Sequence, residues 1–267
     1  MLLTLCMYLA LGAAAGVTAG LFGIGGGLLI VPVLVFSFGV QGISPEVLTH
    51  MAVATSLATI VVTSVSSILA HHKRGAVRWD LFRPLGLGIM LGAFLGVKTA
   101  GQLPGDVLQM LIGSFVLLVA VQMAFGAKPS NSPGAAPKAG GLAAAGGVIG
   151  WASALFGIGG GTLTVPYLSW RHIGIQQAVA TSAACGLPIA LMGAFSNVFE
   201  GWGHDALVDW SLGYVYLPAF AGIVLTSPFF ARLGARWAHS LPAPVLRRIF
   251  AVFLALVGLR FLLGNLL

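Results

Sequence analysis

The sequence predicts an all-α polytopic membrane protein made of two inverted repeats, and three observations predict it. Composition is the first: 58% of the 267 residues are hydrophobic and 7% are charged, whereas a soluble domain carries about a quarter charged residues. Spacing is the second, because apolar runs recur along the whole chain between short polar stretches, the pattern that bilayer thickness imposes on spanning helices. The third is an internal duplication. Residues 19–32 read AGLFGIGGGLLIVP and residues 153–166 read SALFGIGGGTLTVP, so 10 of 14 positions coincide at a spacing of 134. Ala54, Thr55 and Ser56 answer Ala180, Thr181 and Ser182, and Leu103-Pro104 answers Leu241-Pro242. Repeats of this kind are the signature of membrane transport folds.

Each repeat divides into about five helical elements. They fall at 2–19, 24–39, 45–70, 80–101 and 105–126, then at 140–156, 158–170, 176–199, 212–236 and 243–264. The first repeat is thus 1–126 and the second 140–267, joined by a linker over 127–139 whose Pro, Gly, Ser and Lys content is that of a flexible connection. Ser44, Pro45 and Glu46 supply an N-cap, a first-turn proline and an acidic first turn; Pro104 and Asp106 do nearly the same for the fifth element. The first two elements of each repeat read as short. The second is about 15 residues, or roughly 22 Å of helix against a hydrocarbon core of roughly 30 Å. Each pair is therefore expected to form a tilted or re-entrant hairpin with the LFGIGGG segment at its tip. Whether that hairpin crosses twice or not at all, each repeat crosses an odd number of times, which inverts the second relative to the first.

Basic residues give the orientation. If the chain starts on side A, the connections on side B carry Lys73, Arg74, Arg78, Arg83, Lys128, Lys138, Arg171, Arg232, Arg236, Arg247 and Arg248, and side A keeps Lys98 and Arg260. The positive-inside rule makes side B cytoplasmic and both termini periplasmic in a bacterial inner membrane. The net charge of +7 is spread over many loops and forms no continuous basic face for nucleic acid. Cys6 and Cys185 lie in apolar segments away from any CxxC or Cys/His cluster, so neither disulfide, zinc nor other cofactor chemistry is indicated. The N-terminal apolar stretch lacks the basic start of a cleavable signal and belongs to a repeat, so it is expected to be retained.

Gly23, Gly25, Gly26 and Gly27 crowd into five positions, and Gly157, Gly159, Gly160 and Gly161 repeat the crowding. Helical continuity is unfavourable there, and non-helical backbone inside a bilayer must be buried in protein or line a watery cavity. After each break a short helix begins, whose free amides and dipole favour an anion. With the repeats inverted, the two starts approach the midplane from opposite sides and converge on one small anionic substrate. The competing reading is that the glycines only let helices pack closely; their symmetric repetition before Pro32 and Pro166 favours the site. Thr162 and Thr164 stand where the first repeat has Leu28 and Ile30, and with Thr55, Ser56, Thr181 and Ser182 they are candidate hydroxyl donors. The alternative for each hydroxyl is a bond back to its own helix. Asn197 is a further candidate donor, and His50, near the outer end of its helix, is a candidate titrating group, against which the favoured reading is a solvated interfacial histidine.

The doubled LFGIGGG followed by VP, in a small, apolar, two-part chain, resembles the TauE/SafE family of anion permeases over essentially its full length. The resemblance implies secondary export of a small sulfur-containing anion, sulfite or an organosulfonate such as sulfoacetate, with the eight glycines matching the family motif. Import of thiosulfate or another small anion is the alternative it leaves open. The six acidic residues all fall at element ends, so no buried carboxylate relay for protons is visible. An inside-negative potential favours anion exit by about 2.3 kcal/mol per charge per 100 mV. No Ser/His, HExxH or paired-aspartate constellation suggests an enzyme, and a passive assembly protein has little reason to break helices in symmetric pairs.

Overall fold

A computed structural model describes residues 2–22, 26–73, 75–125, 139–237 and 243–263. The described residues form α1 (Leu2–Phe22), α2 (Gly27–Val40), α3 (Pro45–His72), α4 (Trp79–Gly101) and α5 (Gly105–Phe125) in the first half. The second half contains α6 (Ala139–Phe156), α7 (Gly161–Trp170), α8 (Ile175–Glu200), α9 (Leu217–Trp237) and α10 (Ala243–Leu263). Among the described residues, five helices, α3, α4, α5, α6 and α8, are long and apolar enough to cross a membrane. The chain is an all-α polytopic membrane protein. The expected linker over 127–139 lies outside the described residues except for Ala139, which opens α6.

Two details differ from the sequence reading. Shortness is confined to the second element of each half: α2 has 14 residues and α7 has 10, while α1 has 21 and α6 has 18. The helix runs to Phe22 and to Phe156, the last residues before the glycines crowd together, because single glycines spaced along a helix are tolerated where a run of them is not. The expected helix start at 212 is also wrong. Ser211–Leu212 and Val215–Tyr216 pair as a two-stranded antiparallel hairpin, β1 and β2, and α9 begins only at Leu217. Gly213 makes the turn with φ 54° and sits directly on the backbone of Val198, a place with no room for a side chain.

Glycine sets how the helices pack. Gly88, Gly92 and Gly96 of α4 lie against the backbones of Ala143, Gly147 and Trp151 of α6, so the two helices run parallel in direct backbone contact. Gly12 and Gly16 of α1 meet Ile223 and Ser227 of α9, and Gly222 of α9 meets Tyr8, again in parallel. The first helix of each half thus packs along the fourth helix of the other, and the halves interleave. Helices at the same place in the two halves run antiparallel: Gly113 of α5 meets Phe261 of α10 while Leu117 meets Gly258, and Leu57 of α3 meets Gly193 of α8 while Ser64 meets Gly186. Small residues at such crossings let membrane helices gain van der Waals contact that bulky ones would prevent.

Candidate functional site

Both glycine breaks are turned by left-handed backbone. Gly26 has φ 74° at the N-cap of α2, and Gly157 has φ 67° just after α6; a side chain is disfavoured at either. Residues 157–160 are non-helical and buried, and the Ile158 N–H donates to the Ser153 carbonyl at 2.9 Å. Neither Gly26 nor Gly160 is followed by a side-chain cap, so the first amides of α2 and α7 have no side-chain acceptor and none within their own helix. Gly23 and Gly25 lie outside the described residues.

The structure brings the two breaks together. A Cβ placed on Gly27 would stand 2.8 Å from the Gly157 carbonyl oxygen and 2.9 Å from the Ile158 Cα. One on Gly157 would meet Val31 of α2 at 2.8 Å and the Val53 Cα of α3 at 3.0 Å, and one on Gly160 would meet the Ser182 carbonyl of α8 at 2.7 Å. The breaks are packed shut. The hollow beside them, lined by Gly27, Leu28, Val31, Phe115, Phe156 and Ile158 among others, has no space for a water-sized molecule, and the Phe115 and Phe156 rings stack across it 4.4 Å apart.

The hydroxyls divide into three groups. Ser56 donates to the Gly157 carbonyl at 2.8 Å, fastening α3 to the opposite break, while Ser182 donates to the Val179 carbonyl of its own helix at 2.8 Å. Thr55 accepts from the Tyr216 N–H at 3.0 Å and Thr181 accepts from the Arg78 N–H at 3.1 Å. Thr162 and Thr164 are buried, and their hydroxyls have no partner among the described residues. Gly159 and Gly161 are buried beside them at the start of α7. Ser153, one turn before the break, is in the same position as the two threonines. Sequence reading passed over Ser153 because its counterpart is Ala19, which breaks the repeat that drew attention to the other positions.

Two further candidates make contacts within the protein. Asn197 donates to the Gly193 carbonyl at 2.8 Å, and its own carbonyl accepts from the Tyr214 N–H, so it braces the hairpin. His50 is buried rather than solvated: Nε2 lies 3.0 Å from the Ala100 carbonyl, and the ring is 5.4 Å from that of Tyr214. The reason is the connection over 201–216, which folds back over the start of α3. Burial, followed by the Glu200 and Glu46 carboxylates, pushes the Tyr214 phenol above its ordinary range.

Helices numerous and apolar enough to cross a bilayer repeatedly, around two buried helix breaks, define a multi-pass membrane protein of the broken-helix class used in transport. Within that class the chain belongs to the sulfite exporter TauE/SafE family, whose sequence profile matches residues 8–261. A probable membrane transporter protein of Haemophilus influenzae is 39% identical over 255 residues, covering 96% of this chain and 97% of that one. A probable membrane transporter protein of Methanocaldococcus jannaschii is 28% identical over 98% of this chain and 97% of its own length. The probable membrane transporter protein MamO of Paramagnetospirillum magneticum is 29% identical over 94% of this chain, which spans 43% of that longer protein. No solved structure matches the chain. By family, the chain is a membrane transporter.

Proposed function

We propose that this transporter exports a small sulfur-containing anion, sulfite or an organosulfonate such as sulfoacetate, across the bacterial inner membrane by alternating access. The observation that carries the reading is the meeting of the breaks, with Gly27 against Gly157 and Ile158 and the starts of α2 and α7 uncapped. Free amides at a helix start, backed by the helix dipole, suit an oxyanion. The unpartnered Thr162 and Thr164 hydroxyls add donors without adding a buried charge. The antiparallel course of α3 with α8 and of α5 with α10 supports an inverted relation between the halves, as alternating access about a central site requires. The basic residues on side B support a cytoplasmic side B and periplasmic termini, and the membrane potential then drives an anion outward.

The test is a binding screen of sulfite, thiosulfate, sulfoacetate, sulfate and a dicarboxylate against the purified protein, read as thermal stabilisation. The proposal expects sulfite or sulfoacetate to raise the melting temperature at concentrations where sulfate and the dicarboxylate do not. Stabilisation by the dicarboxylate alone would remove sulfur oxyanions from the account.

A further inference from the structure

The segment AVATS occurs twice, at 52–56 in α3 and at 178–182 in α8, and its threonine makes the same bond in both places. Thr55 accepts from the backbone N–H of Tyr216, the residue immediately before α9. Thr181 accepts from the backbone N–H of Arg78, the residue immediately before α4. Both threonines are fully buried. Each bond ties the third helix of one half to the entry of the fourth helix of the other.

The two bonds lie toward opposite faces. Thr181 is in the second turn of α8, whereas the hairpin that carries Tyr216 rests on Asn197 and Val198 near the other end of that helix. From Thr181 to Asn197 is roughly 24 Å at the helical rise. The second break is attached beside both bonds: Ser56, next to Thr55, holds the Gly157 carbonyl, and the Ser182 carbonyl, next to Thr181, packs on Gly160. The fourth helices also carry the breaks with them. α9 is in backbone contact with α1, which leads into the first break, and α4 is in backbone contact with α6, which leads into the second. The pairs α1/α9 and α4/α6 are therefore two arms, each fastened by one threonine.

We infer that Thr55 and Thr181 are the latches of the transport cycle, positioning residues that hold the α1/α9 arm closed toward side A and the α4/α6 arm closed toward side B. The inference rests on the alternating-access reading above. With both bonds made and the breaks packed shut, the structure is the occluded member of the cycle, and release of one latch opens one face.

The experiment uses the full chain with Cys6 and Cys185 replaced by serine and alanine, and a reporter cysteine at the second break, Thr162→Cys. A membrane-impermeant maleimide is applied to right-side-out and to inside-out vesicles. Thr55→Val should raise labelling from side A and lower it from side B, and Thr181→Val should do the reverse. Loss of one buried hydrogen bond corresponds to a shift of about 5- to 10-fold. Thr55→Ser and Thr181→Ser keep the acceptor and should restore the starting pattern, which a general loosening of the fold would not. If Thr162→Cys fails to elute as a folded species, Ser153→Cys serves as the reporter. Labelling from both faces with no opposite shifts overturns the latches and leaves alternating access standing. Labelling from the same single face in the parent protein and in both valine variants overturns alternating access, and the latches with it.

Discussion

Ser56 and Ser182 occupy the same place in the repeated AVATS segment and do different things. Ser56 reaches across to the Gly157 carbonyl, and Ser182 bonds back to its own helix. Removing the Ser56 hydroxyl leaves a buried carbonyl without its donor, so Ser56→Ala should lower stability by about 1–2 kcal/mol, measurable as a drop in melting temperature in detergent. Ser182→Ala should cost less, because the Val179 carbonyl already serves in the helix ladder. Equal effects would contradict the cross-half bond. These roles were not legible in the sequence. The repeat marked Thr55, Ser56, Thr181 and Ser182 as special, but a hydroxyl looks the same whether its partner is a solute or a backbone amide 103 or 161 residues away. The hydroxyls of Thr162 and Thr164 are buried without a partner among the described residues, which leaves them free to donate. The glycine positions also carry a constraint that spacing alone does not show. A leucine at Gly160 would strike the α8 backbone, so loss of transport in such a variant would report on packing as much as on the site.

Element boundaries were legible to within a few residues wherever hydropathy and caps agreed, as at Pro45 and Gly105. The hairpin over 211–216 was not, because Ser-Leu-Gly-Tyr-Val-Tyr is apolar enough to read as helix and its turn depends on contact with Val198. Nor was the pairing of α4 with α6 and of α1 with α9, since many glycines invite close packing and the sequence does not say which ones use it. The structure makes that distinction testable. Gly92 lies on the α6 backbone, whereas a side chain at Gly141 would meet nothing within 4 Å. Gly92→Leu should destabilise the protein by about 2–3 kcal/mol or prevent its accumulation, while Gly141→Leu should stay within about 0.5 kcal/mol. Comparable losses at both positions would remove direct helix contact as the reason for the α4 glycines.

At the scale of the whole molecule, the two halves are interleaved, each lending its first helix to the fourth helix of the other. A half expressed alone would expose the glycine faces of α1 and α4 that the partner half covers. The orientation we propose, with side B in the cytoplasm, rests on the distribution of basic residues. A phosphatase reporter active only in the periplasm should therefore work when fused after Leu267, and activity of a cytoplasm-only reporter at the same place would reverse the orientation. On the proposed orientation, the membrane potential favours anion exit.

The account depends on an anion being held by the amides where the breaks meet. Hydrogen–deuterium exchange measured with and without the anion that stabilises the protein most tests this directly. Binding should slow exchange in both 26–30 and 158–164, the starts of α2 and α7. Protection confined to other segments, with both helix starts unchanged, would contradict it.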